Sequence, residues 1–113
     1  MAQVITSEEL KQKIDNKEDF VLVDTLMEGG YEMRHVPGAV SVPYGTNFLQ
    51  EFEKKVAAPK DKEIIIYCAS ATCQLSVLAA DALEEAGYTN VKHYKEGIAG
   101  WQQAGYKFEG ERV

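Results

Sequence analysis

Two cysteines carry the most reactive chemistry in this chain, and both fall in one short segment, Cys68-Ala69-Ser70-Ala71-Thr72-Cys73-Gln74-Leu75-Ser76. Cys68 directly follows Ile64-Ile65-Ile66-Tyr67, a β-branched run that reads as the strongest strand in the chain. Behind it come small and polar residues, and a helix then begins near Thr72 to Leu75. A strand, a tight small-residue loop and a helix N-terminus make a cradle of backbone N–H groups, and the helix dipole adds to its preference for an anion. A thiolate held there has a lowered pKa and is available as a nucleophile. The loop formed by Ala69, Ser70, Ala71, Thr72, Gln74, Leu75 and Ser76 is therefore a candidate substrate-binding loop. It could hold a persulfide, Cys–S–S⁻, or an oxyanion such as thiosulfate. The competing reading is packing, because free cysteine is among the most often buried residue types.

The elements that position this segment can be read along the chain. Gln3 to Ile5 is a short strand, and Thr6 with Glu9 forms a capping box for a helix carrying Leu10 and Ile14. Phe20-Val21-Leu22-Val23 is apolar throughout and ends in Asp24, which suits a strand covered on both faces. Tyr31 to His35 reads as a helical turn, Val36-Pro37-Gly38-Ala39 as a tight turn, and Val40 to Val42 as a strand. Phe48 to Val56 forms a helix with Phe48, Phe52 and Val56 on one face. After the cysteine segment, Leu75, Leu78, Ala79, Ala82, Leu83 and Ala86 recur at helical spacing, and Gly87 ends that helix. Val91 to Tyr94 is the last strand and Ile98 to Gln103 the last helix. Such alternation predicts an α/β fold, a mostly parallel sheet with helices on both faces. In such sheets ligands collect at the carboxyl ends of the strands, where Cys68 lies.

Composition sets the outer limits. The 113 residues suit one domain, 1–113, with 45% hydrophobic and 27% charged residues. A net charge of -6 argues against a nucleic-acid partner. No 18-residue apolar run exists, so no membrane association is expected. The N-terminal residues lack a secretory pattern, and two cysteines in one segment do not make a disulfide framework. Two thiols in a reducing, cytoplasmic setting are the expectation. His35 and His93 with the two cysteines do not match a zinc spacing, so neither metal nor cofactor is predicted.

From about Ile5 to Gly105 the chain resembles the single-domain rhodanese family. Leu22-Val23-Asp24 followed by Arg34-His35-Val36-Pro37-Gly38-Ala39 is similar to that family's strand ending in Asp and its Gly-His-Ile-Pro-Gly-Ala block. Ile65-Ile66-Tyr67-Cys68 with Ser76, Ala79, Ala80, Leu83, Gly87 and Tyr88 forms a second block. Asn90-Val91, Gly97-Ile98, Trp101 and Gly105 resemble the closing Gly-Gly-Ile, Trp and Gly pattern. The resemblance implies a five-stranded parallel sheet flanked by helices and transfer of sulfane sulfur by a nucleophilic Cys68. A small sulfur-donor anion would load it, and a thiol, a protein thiol or cyanide would accept the sulfur. It also implies supporting roles for Asp24, Arg34 and His35. Asp24 would bond loop backbone or cap its strand, and His35 would carry protons or brace a turn.

The departures are specific. The family's loop places Ser six residues after the cysteine, often behind an Arg, whereas Ser76 lies eight residues after Cys68 and follows Leu75. No Lys or Arg lies between Cys68 and Lys92. Local charge complementarity for a dianion such as thiosulfate is thereby reduced; Arg34, His35, His93 and Lys95 are the neighbouring candidates for a cation. Cys73, five residues after Cys68, has two readings. It is a resolving thiol that attacks a Cys68 persulfide and leaves a Cys68–Cys73 disulfide, or a small apolar residue facing the helix–sheet contact. The first makes the protein a redox or persulfide-relay module. A docking domain with an inert cysteine, and phosphatase-like chemistry lacking its Arg clamp, are further alternatives.

Overall fold

The computed structural model describes residues 2–110. Five parallel strands, β1 (Gln3–Ile5), β2 (Val21–Asp24), β3 (Val40–Ser41), β4 (Ile64–Tyr67) and β5 (Val91–Tyr94), lie in the order β1-β5-β4-β2-β3. The uniformly apolar β4 is central, as a strand covered on both faces should be. Its register sets Tyr67 beside Asp24 on β2 and Tyr94 on β5, so these three residues mark one carboxyl edge.

Helices α1 (Ser7–Asp15) and α5 (Gly97–Gln103) cover one face. There Leu10, Ile98 and Trp101 pack with Leu22, Ile65, Tyr67 and Tyr94. Helices α3 (Phe48–Val56) and α4 (Leu75–Glu85) cover the other, where Phe48, Phe52, Ala79, Ala80 and Leu83 meet Val23, Ile64, Ile66 and Val91. The capping box at Thr6 is present in both directions, Glu9 N to Thr6 Oγ1 at 3.1 Å and Thr6 N to Glu9 Oε1 at 2.9 Å. Gly87, at φ 100°, closes α4: its N–H bonds Glu84 and the Tyr88 N–H bonds Leu83, both at 3.1 Å.

Two expectations need correction. The turn placed at Tyr31 to His35 is instead α2 (Glu28–Met33), and the chain is extended by Arg34. His35 then pairs antiparallel with Glu109 through bonds of 2.8 and 2.9 Å, which the local sequence could not foresee. The apolar stripe of α4 is also rotated. Ser76, Ala79, Ala80 and Leu83 face the sheet, whereas Leu78 is 46% exposed. Small residues let the helix lie close to the sheet, and that contact overrides the pattern of larger side chains.

Candidate active site

Cys68 follows the last residue of β4 and is only 1% exposed. The chain then turns, with the Cys73 N–H donating to the Ser70 carbonyl at 3.1 Å. This turn brings the Cys68 and Cys73 Cα atoms to 6.2 Å, and their sulfurs are joined in a disulfide. The structure thus pairs two cysteines that the sequence reading expected as thiols, in the Cys68–Cys73 arrangement of its alternative reading. The loop spans 69–74, ending at Gln74, the N-cap of α4, which makes no side-chain capping bond. Ala71, Thr72 and Gln74 are exposed and Cys73 is partly exposed. Ser70 Oγ and Thr72 Oγ1 pair at 3.0 Å. Leu75 and Ser76, read from sequence as loop, belong to the first turn of α4.

The inner end of the loop is fixed by α5. The Ile98 N–H donates to the Cys68 carbonyl at 3.1 Å and the Ala99 N–H to the Ala69 carbonyl at 2.8 Å. Both bonds depend on Gly97, whose φ is 62°. A Cβ there would stand 2.4 Å from the Cys68 carbonyl oxygen. Gly97 was read as part of a family pattern only; its contact with the cysteine backbone requires the folded chain.

Asp24 does not reach the loop. One carboxylate oxygen accepts from the Leu26 N–H at 2.8 Å, and the other accepts from the Tyr67 hydroxyl at 2.8 Å. The Tyr67 hydroxyl in turn accepts from the Val36 N–H at 3.1 Å. Burial pushes the Asp24 carboxyl above its usual range, opposed by its two hydrogen bonds and by His35. Burial, with Asp24 alongside, pushes the Tyr67 phenol up strongly. Thr25 adds an Oγ1 bond of 2.9 Å and an N–H bond of 3.1 Å to the Tyr67 carbonyl. The residue preceding Cys68 is therefore held at carbonyl and hydroxyl, a bracing role for Asp24 and Thr25.

The candidate cations divide. His35 stacks on Tyr31 with ring centroids 3.9 Å apart, and its Nδ1 meets the Tyr31 carbonyl at 2.8 Å. His93 is buried against Ser76, Nε2 to Oγ 2.7 Å. Burial, and then Lys95, lower its pKa, which favours the neutral ring and removes it from the candidate cations. Lys95 lies with His93 and Val77 in a separate cleft beside α4. Arg34 has its guanidinium 5.1 Å from the Phe108 ring centroid and lines an apolar cleft of about 330 Å³ with Leu26, Met33, Ala69, Ile98 and Gln102. This cleft borders the loop at Ala69, and Arg34 is the cation it holds. Among the described residues, no group of three or more His, Cys, Asp and Glu side chains could hold a metal ion.

A buried cysteine ending a central parallel strand, locked from one side and joined to a second thiol in its own loop, can do thiol–disulfide and sulfane-sulfur chemistry. Comparison with known proteins supports sulfur transfer in general. The family model of the rhodanese-like domain matches residues 6–104. The chain is 30% identical over 105 residues to a sulfurtransferase of Allochromatium vinosum, covering 93% of this chain and 92% of that protein. It is 30% identical to the thiosulfate:glutathione sulfurtransferase of Saccharomyces cerevisiae, over 91% of this chain and 80% of the relative. The crystal structure of the BH2092 protein from Bacillus halodurans superposes with a TM-score of 0.87 at 27% identity, covering 98% of this chain and 79% of that one.

Proposed function

The chain belongs to the rhodanese-like domain family, and from that premise we propose that it is a sulfurtransferase carrying sulfane sulfur as a persulfide on Cys68. The observation that carries the reading is the placement of Cys68 at the end of central β4, with its own carbonyl and that of Ala69 bonded to the first residues of α5. The reduced Cys68 thiolate attacks the sulfane sulfur of a donor anion. A bond forms to Sγ, the donor's S–S bond breaks, and the donor residue leaves with the electron pair, as sulfite when the donor is thiosulfate. A thiol, a protein thiol or cyanide then attacks the outer sulfur, and Cys68 leaves as thiolate. Arg34 supports binding of one negative charge from across the cleft. With no Lys or Arg in residues 69–91, a singly charged donor suits the site better than thiosulfate.

Intact-mass spectrometry of the pre-reduced protein tests this. Exposure to a sulfane donor should add one sulfur to Cys73→Ser, which keeps Cys68 and has no second thiol, and none to Cys68→Ser. Sulfur uptake by Cys68→Ser equal to that of Cys73→Ser would overturn the assignment.

A further inference from the structure

We propose that the protein also reduces sulfane sulfur to hydrosulfide, with Cys73 as the resolving thiol and a dithiol protein as the source of electrons. This rests on the Cys68 persulfide proposed above. It adds a second chemical step, a product and a partner class.

Three observations carry it. The Cys68 and Cys73 sulfurs are paired and their Cα atoms lie 6.2 Å apart, so the loop brings the two sulfurs within reach of one another. A thiol poised within the same loop outruns a dissolved one through proximity alone. The two sulfurs are also unequal. Cys68 is 1% exposed, and its backbone and that of Ala69 are tied to α5. Cys73 is partly exposed between exposed Thr72 and Gln74, ahead of the first turn of α4. An external thiol therefore meets Cys73, and Cys68 is the leaving group. Finally, the six-residue segment 69–74 gives the loop room for the Ser70–Cys73 turn that makes the pairing.

The steps balance. The Cys73 thiolate attacks Sγ of the Cys68 persulfide. The bond from Sγ to the outer sulfur breaks, the outer sulfur keeps the electron pair and takes a proton from solvent, and hydrosulfide leaves. The Cys68–Cys73 disulfide forms. Two thiols have lost two electrons and the sulfane sulfur has gained them. The first thiolate of a dithiol then attacks the Cys73 sulfur and expels Cys68 as thiolate. The second dithiol sulfur attacks the first and expels Cys73. The net reaction turns one dithiol into a disulfide and one sulfane sulfur into hydrosulfide. A monothiol needs a second encounter to clear the mixed disulfide, which is why the partner is a dithiol. The cycle consumes a dithiol, so it must be followed by a reaction that reduces disulfides.

A single-turnover experiment decides the matter. The full chain is reduced, freed of reductant, and mixed with one equivalent of benzenethiosulfonate, whose leaving group is a sulfinate. Hydrosulfide can then come only from the second step. The wild type should release about one equivalent of hydrosulfide and lose two hydrogens in intact mass. Cys73→Ser should keep the added sulfur and release hydrosulfide about 100-fold more slowly or more slowly still. Dithiothreitol should restore turnover of the wild type. A wild type that keeps the sulfur and releases no hydrosulfide overturns this inference and leaves the persulfide reading standing. Failure of both proteins to gain or pass on sulfur overturns both. Trapping the oxidised wild type with a monothiol should place the adduct on Cys73; an adduct on Cys68 overturns the order of attack.

Discussion

Replacing Gly97 by Ala should damage the site from outside the loop, by an amount that the geometry predicts. The position has φ 62°, and a Cβ would lie 2.4 Å from the Cys68 carbonyl oxygen and 3.0 Å from the carbonyl carbons of Cys68 and Ala69. Ordinary contact begins at 3.4 Å, so the two backbones must separate by about 1 Å to regain ordinary van der Waals distance. That movement breaks or stretches the Ile98–Cys68 and Ala99–Ala69 hydrogen bonds, each worth about 1 kcal/mol. Left-handed backbone adds about 1–2 kcal/mol for a residue with a Cβ. The total is about 3–4 kcal/mol, or about 12–16 °C in Tm at ~4 °C per kcal/mol for a domain of this size. Gly105→Ala is the control, since it has φ 80° and nothing within 4 Å; it should show only the backbone cost of about 1–2 kcal/mol. Thermal unfolding of the reduced proteins measures the difference, expected at about 2 kcal/mol. Sulfur loading should fall about 100-fold in Gly97→Ala, the scale of a 1 Å misplacement, and stay near wild type in Gly105→Ala. Equal Tm shifts with unchanged loading would refute the claim that α5 positions Cys68.

Two further perturbations probe the supporting structure. Ser76→Ala strips the buried His93 ring of its 2.7 Å partner and should cost about 1–2 kcal/mol in denaturant unfolding. His93 has a folded pKa below the ordinary 6.5, so the unfolded chain binds the proton first. Stability is held above pH 6.5 and lost as the pH falls toward the lowered value; His93→Gln should flatten that slope, and an unchanged pH profile would count against a neutral buried ring. On α4, Leu78→Lys should change stability by no more than about 0.5 kcal/mol, whereas Leu83→Ala should cost about 2–5 kcal/mol. The reverse order would restore the stripe read from sequence.

The parallel α/β fold was legible because its signals are local. Continuous apolar runs at Phe20-Val21-Leu22-Val23 and Ile64–Tyr67, the Thr6 capping box and the Gly87 stop each depend on neighbours within a few residues. The same holds for Cys68 as a candidate: strand, cysteine, loop and helix follow one another in the chain. What the sequence could not supply was every relation between distant segments. The contact of Gly97 with the Cys68 carbonyl spans the chain from β4 to α5 and exists only because β5 lies beside β4. Asp24 sits in the sequence as a strand-end acid, and only the register of β2 with β4 turns it to the Tyr67 hydroxyl rather than to the loop. His93 was indistinguishable from a surface cation until Ser76 packed over it. The burial of Ser76 and Ala80 in place of Leu78 was decided by how closely α4 approaches the sheet, a distance that helical periodicity does not encode. The sequence determined which atoms could react; the folded chain decided that Cys68 is covered, that Cys73 is partly exposed, and that the two are within bonding reach, because burial and distance belong to the whole chain rather than to any one segment.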